Sequence, residues 1–124
     1  MKKIVKQKWL EALRSGKYRQ TNGNLCVEGN KRKKYCCLGV LCDLHAKETG
    51  NIFEPIGDGE SFAYLDENGQ LPSEVMRWAG LKDDQGALKK PIEDEEGYHN
   101  SLIDLNDDAE YNFKQIAEVI EKQF

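Results

Sequence analysis

With 124 residues the chain has room for one hydrophobic core and little for a second, so a single domain over residues 1–124 is expected. Its 18 Lys and Arg, 22 Asp and Glu and 39% hydrophobic residues give a net charge of −4, and no run approaches the ~18 apolar residues of a membrane span. The opening residues alternate Lys with apolar side chains, unlike a signal-peptide core, which predicts a cytoplasmic protein with no membrane contact and four reduced cysteines.

The small net charge conceals an uneven distribution. Residues 1–50 carry 12 basic against 4 acidic side chains, whereas residues 51–124 carry 6 against 18. Such a division suits complementarity within the chain or head to tail between copies, or a basic face for an anionic ligand on a body that repels long nucleic acid.

In chain order, Ile4, Trp9 and Leu13 recur at helical spacing and predict a helix over 3–15 that Gly16 ends. The segments 18–21 and 25–28, separated by Asn22-Gly23-Asn24, read as a β-hairpin, with a second turn at Gly29-Asn30 and a basic loop over 31–34. From Cys37 to Lys47 apolar residues cover most of a helix circumference, so a buried helix is expected, ended by Gly50. Gly39 in its first turn costs helix propensity but permits close approach by another backbone or a ligand.

Short strands are predicted over 52–53 and 62–65, with a turn at 66–69. A helix follows over 73–79, with Pro72 in its first turn and Gly80 beyond its end. Residues 82–97, polar and interrupted by Gly86 and Pro91, read as an irregular, mobile surface loop. Helices over 101–106 and from 112 or 113 to 122 close an α+β chain.

Three kinds of chemistry have candidate residues. Cys42 and His45 lie three apart on a predicted helix and could share a metal, but no pair has zinc-ribbon spacing, so no metal and no cofactor are expected. Cys36, preceded by the basic residues 31–34, could act as a thiol nucleophile with His45 as base; its apolar surroundings argue for a packed, inert thiol instead, and no catalytic residue is assigned. Asp104, Asp107, Asp108 and Glu110 read as a solvated acidic face.

The basic and aromatic side chains form the more informative set: Lys17, Tyr18, Arg19 and Gln20 after the first helix, residues 31–34 with Tyr35 on the neighbouring hairpin, and Trp9, Arg14, Arg77 and Trp78, while Asn106 and Asp107 could cap the next helix or hold a ligand edge. Guanidinium and ammonium groups bind phosphate, aromatic faces stack on bases, and amides and carboxylates read base or ribose edges. The same residues are also ordinary content for a solvated hairpin, and Trp9 and Trp78 read as core anchors.

Several motifs spread over nearly the whole chain carry a resemblance. These are Trp9-Leu-x-Ala-Leu-Arg-Ser-Gly-Lys-Tyr-x-Gln20, Tyr35-Cys-Cys-Leu-Gly-Val-Leu-Cys-Asp43, Trp78-Ala-Gly-Leu81, Ser101-Leu-x-x-Leu-Asn-Asp107 and Phe113-x-x-Ile-Ala-x-x-Ile-Glu121. In them the chain resembles a family of small proteins common in phage and prophage genomes, and is similar to the anti-CBASS sponges with which phages withhold cyclic oligonucleotide or related nucleotide signals from bacterial immune effectors. The resemblance implies a non-enzymatic homo-oligomer that sequesters a small nucleotide. Arg14, Arg19 and Lys34 would hold phosphate, Tyr18 or Tyr35 would stack a base, and Gln20 with Asn106 or Asp107 would read base or ribose edges. A protein-interaction module that inhibits a host enzyme, with the acidic residues 93–110 as its surface, and a signal-degrading phosphodiesterase are the alternatives.

Overall fold

The computed structural model describes residues 1–57 and 59–124. Helix α1 spans Lys3–Arg14 and buries Val5, Trp9 and Leu13, one residue per turn along a single stripe. Trp9 is fully enclosed, and its indole N–H donates to the Cys37 carbonyl at 3.0 Å, so the ring fills the core without leaving its polar atom unpaired.

The main sheet has five strands: β1 (Arg19–Gln20), β2 (Cys26–Gly29), β3 (Arg32–Tyr35), β4 (Glu54–Ile56) and β5 (Ser61–Ala63), in the order β1-β3-β2-β5-β4. The expected hairpin between 18–21 and 25–28 does not form. β1 instead pairs parallel with β3, Arg19 opposite Lys34 and Gln20 opposite Tyr35, while β2 forms an antiparallel hairpin with β3. The turn that decides this is Asn30-Lys31, whose φ angles of 51° and 64° supply the left-handed pair that a two-residue hairpin requires. The basic loop expected over 31–34 is therefore mostly strand. A tight turn of the same kind follows β5 at Leu65-Asp66, with φ of 49° and 70°, between the bridged residues Tyr64 and Glu67.

Helix α2, Cys37–Thr49, lies against this sheet with Cys37 to Cys42, His45 and Ala46 buried, and ends at Gly50 in the left-handed conformation. The Cys36 thiol caps it by accepting from the Gly39 N–H at 3.4 Å. Gly39 packs on the backbone of Leu25, the residue before β2: a Cβ there would lie 1.8 Å from the Leu25 carbonyl oxygen, so the glycine is what lets the helix approach this backbone. Helix α3 covers Ser73–Ala79 as expected, with Gly80 beyond it at φ 73°.

The segment 82–97 is not an irregular loop. Strands β6 (Ala87–Asp94) and β7 (Gly97–Ser101) form a second, two-stranded sheet. Its many charged residues conceal a narrow inner face of half-buried Leu88 and Ile92 and buried His99, and the ribbon accommodates Pro91 where its register shifts between Ala87 and Ile92. The Asp83 carboxylate accepts from the Gly86 and Ala87 N–H groups at 2.9 and 3.0 Å and starts the strand. Gln123 pairs with both backbone groups of Lys90 at 3.0 Å.

Helix α4 (Leu102–Asp107) is capped by Ser101, and α5 (Phe113–Gln123) by a reciprocal capping box between Asn112 and Gln115. The fold is α+β. Part of the charge division is resolved where α5 lies beside α1: Arg14 pairs with Glu118 at 3.0 Å and with Glu121, holding the Glu121 carboxyl below its usual range.

His99 joins the second sheet to α4. Its Nε2 lies 2.8 Å from Asp94 and its Nδ1 3.2 Å from Asp104, so both ring nitrogens face carboxylates. Burial pulls the imidazole pKa down, but the hydrogen bonds and charges of the two aspartates outweigh it and hold the pKa above its ordinary value. The resulting stability is present below the unfolded pKa of about 6.5 and disappears as pH rises through the higher folded value. Urea denaturation from about pH 6 to 9 is expected to show this loss in the natural chain, and a flatter profile in His99→Gln; parallel profiles would exclude the mechanism.

Candidate functional site

Alternation along the strands sorts the predicted residues. Tyr35 and Lys33 are two apart on β3 and both line a cleft against α2, so Lys34 projects from the opposite face of the sheet together with its partner Arg19. By the same alternation Tyr18 and Gln20 lie on the Tyr35 side.

The cleft is open, about 420 Å³, and is lined by Lys33 and Tyr35 of β3, by Asp43 and Lys47 one helical turn apart on α2, and by Ile52 and Phe53 of the following segment. At its edge the Tyr18 hydroxyl donates to the Asp43 carboxylate at 2.5 Å and accepts from the Lys47 ammonium at 3.1 Å, and Lys47 lies 3.2 Å from Asp43. Lys47 also stands 5.3 Å from the Tyr18 ring centroid and Lys33 5.0 Å from that of Phe62. Tyr35 sits edge-to-face between Tyr18 and Phe53, with centroids 5.3 and 5.8 Å away. Burial pushes the hydroxyl pKa values of Tyr18 and Tyr35 up, so both remain protonated donors at neutral pH. Two ammonium groups, a carboxylate and a set of phenol and phenyl rings therefore converge on one opening, with Ile52, 71% exposed, at the rim.

A second group of predicted residues meets around the buried Asn106, with Gln20 and Asp107 half-buried beside it. Asn106 is 1% exposed, and its side-chain oxygen accepts from the Gln20 amide at 2.8 Å and from the Cys37 N–H at 3.2 Å. Its amide nitrogen donates to the Thr21 carbonyl at 2.9 Å and to Asp107 at 2.8 Å, and Asp107 accepts from the Gly23 N–H at 3.0 Å. Gln20 donates further to the Tyr111 carbonyl at 2.8 Å. These three side chains bind one another and the backbone. Asn106 thereby satisfies an N–H at the start of α2 that would otherwise be orphaned in the core.

Arg14 stands apart, on a groove of about 690 Å³ that runs along α1 from Lys3 to Ser15 beside Glu121. The structure thus brings Tyr18 and Tyr35 together in the cleft, places Gln20, Asn106 and Asp107 in a half-buried hydrogen-bond network, leaves Arg19 and Lys34 on the far face, and pairs Arg14 with α5. Asp43, Lys47 and Phe53 join the cleft although the sequence set did not include them, and of the basic residues 31–34 it is Lys33, not Lys34, that lines it. The Asp43–Lys47 spacing of one turn and the position of Lys33 two before Tyr35 are the signals that point to them.

A family model described as a domain of unknown function, DUF8296, matches residues 1–124. The chain belongs to the DUF8296 family. No curated protein and no solved structure matches it.

Thiol chemistry finds no support in this DUF8296 chain. Burial raises the Cys26 pKa to about 11 and that of Cys36 to about 12, and lifts Cys37 and Cys42 well above the ordinary thiol value. All four remain neutral and enclosed. His45 shares a hydrogen bond of 2.6 Å with the Tyr64 hydroxyl through Nδ1 and faces Glu74 through Nε2 at 3.3 Å, while burial lowers its pKa. The ring also packs edge-to-face against Tyr64 and Trp78, with centroids 5.7 and 5.1 Å away. Its two nitrogens thus face Tyr64 and Glu74 rather than Cys36 or Cys42. Among the described residues no three His, Cys, Asp or Glu side chains gather into a metal-binding group.

Proposed function

We propose that this chain is a phage sponge protein that binds a small nucleotide signal, of the cyclic oligonucleotide or related class, and sequesters it without cleaving it. The observation that carries this reading is the convergence of Lys33, Lys47, Asp43 and the Tyr18, Tyr35 and Phe53 rings on one cleft. Lys33 and Lys47 supply charge for phosphate, and the Asp43 carboxylate accepts from a base or ribose donor. Ile52 and the ring edges offer apolar cover for a base. The cleft presents no activated nucleophile, and release of unaltered ligand follows from binding by side chains that only hold it. The location, in this reading, is the cytoplasm of an infected bacterium.

The test is incubation of the purified protein with a panel of cyclic di- and trinucleotides and nicotinamide-derived signals, with thermal melting followed by recovery of the ligand after denaturation. One member is expected to raise the melting temperature stoichiometrically and to be recovered intact. Lys33→Glu is expected to weaken that binding about 10-fold or more, whereas Arg19→Ala on the opposite face leaves it within about 2-fold. A chemically altered product would indicate a degrading enzyme, and the absence of a shift with every member would overturn the sponge reading.

A further inference from the structure

Two hairpins of similar build and opposite charge project from the fold. β2 and β3 are joined by Asn30-Lys31, and their tip carries Lys31, Arg32, Lys33 and Lys34. β6 and β7 are joined by Glu95-Glu96 between Asp94 and Gly97, and Glu93 lies directly across from Tyr98.

Each tip is dominated by one sign of charge, with Glu28 across from Lys33 as the exception on the basic hairpin. Among the described residues Lys31, Arg32 and Lys34 enter no ion pair, and neither do Glu93, Glu95 and Glu96. Such clusters repel themselves, and an opposite surface relieves that repulsion. Both turns are already ordered: Asn30 and Lys31 adopt left-handed backbone, and the Glu96 N–H donates to the Asp94 carboxylate at 2.9 Å. Docking them therefore costs little further backbone entropy. The acidic hairpin also presents an aromatic anchor, since Tyr98 is 67% exposed. Tyr and Arg are the side chains that concentrate binding energy at protein interfaces, and a guanidinium over a phenol ring adds cation–π attraction.

We propose that the basic β2–β3 tip of one copy docks on the acidic β6–β7 hairpin of a second copy. Lys31 and Arg32 face Glu93, Glu95 and Glu96, and Arg32 covers the Tyr98 ring. A second copy is the occupant because each chain carries both surfaces, in hairpins of the same turn length and with matched, otherwise unpaired charges. Lys33, held over Phe62, stays with the cleft, so the contact needs no ligand and stands independently of the nucleotide reading. The contact joins unlike surfaces and closes through a pair or a ring.

Sedimentation of the ligand-free protein tests this. At about 0.02 M salt the average mass is expected to rise with concentration above that of one chain, and at about 0.5 M salt to return to it. The double reversals Lys31→Glu with Arg32→Glu, and Glu95→Lys with Glu96→Lys, are each expected to abolish association; mixing the two proteins restores it, because each then supplies the charge the other has lost. Tyr98→Ala, which reverses no charge, is expected to weaken association in the natural background. A chain that stays monomeric at low salt, association that survives both reversals, or a mixture that fails to reassociate would each overturn the proposal. Matching melting curves for all variants establish that the fold is retained.

Discussion

Gly39→Ala is expected to cost about 3 kcal/mol or more and to lower the melting temperature by about 10 °C or more. The added methyl would lie 1.8 Å from the Leu25 carbonyl oxygen, 2.7 Å from its carbon and 3.1 Å from its Cα. All three obstacles are backbone, so no side chain can rotate away. α2 would have to withdraw from the Leu25 backbone, and with it Trp9, whose indole is bonded to the Cys37 carbonyl, and the Cys36 N–H, which donates to the same Leu25 oxygen at 3.3 Å. The intrinsic preference of a helix for alanine over glycine, about 1 kcal/mol, acts in the opposite direction and is too small to compensate. Gly29→Ala is the control, because a Cβ there meets nothing within 4 Å. It should change stability by no more than about 0.5 kcal/mol. Equal melting of the two variants would mean that the close approach at Gly39 is relieved at little cost.

Asn106→Ala is the second substitution with a large expected effect, about 3 kcal/mol in urea denaturation. It removes no large apolar surface. Instead it strands the Cys37 N–H in the core and takes a partner from Gln20, Thr21 and Asp107 together. Asn106→Asp keeps an acceptor for Cys37 and Gln20 but sets a carboxylate against the Thr21 carbonyl and Asp107, neither of which can donate to it. That variant is expected to be at least as unstable near neutral pH and to regain stability towards about pH 5, because a protonated carboxyl can donate where the amide did. A flat pH response would show that the side chain has moved out to water.

The two substitutions differ in how far their effects could be foreseen. Gly39 stands in a helical run of mostly apolar residues, and a glycine there already indicates close approach by a backbone or a ligand; the structure decides for the backbone of Leu25. Asn106 stands just before the acidic residues Asp107, Asp108 and Glu110, where nothing local separates a buried amide from an exposed one. Its four partners come from the segments around Gln20, Cys37 and its own helix, and only their convergence makes it part of the core.

For the cleft the case is similar. Tyr18 and Tyr35 are identifiable as aromatic residues in basic surroundings, but whether Lys33 or Lys34 joins them depends on which way β3 faces. A shift of one residue exchanges every side chain between the two sides of a sheet. Arg14 was foreseen as a phosphate ligand in a segment continuous with Tyr18, yet α5 returns beside α1 and offers it two carboxylates instead.

The sequence by itself determined the helices, because each carries its own evidence within a dozen residues: the stripe of Val5, Trp9 and Leu13, the apolar belt from Cys37 to Ala46, and glycines at 50 and 80 in the left-handed conformation that ends a helix. It also implied the α+β class and the packing of the cysteines. Only the tertiary structure decided the parallel union of β1 with β3 and the hairpin of 87–101. It likewise decided the burial of Asn106 and the membership of the cleft. Strand pairing is made by backbone N–H and C=O groups that every residue shares, so its partners leave little trace in side-chain pattern. A polar side chain becomes core only when distant segments bring it enough hydrogen-bond partners to replace water.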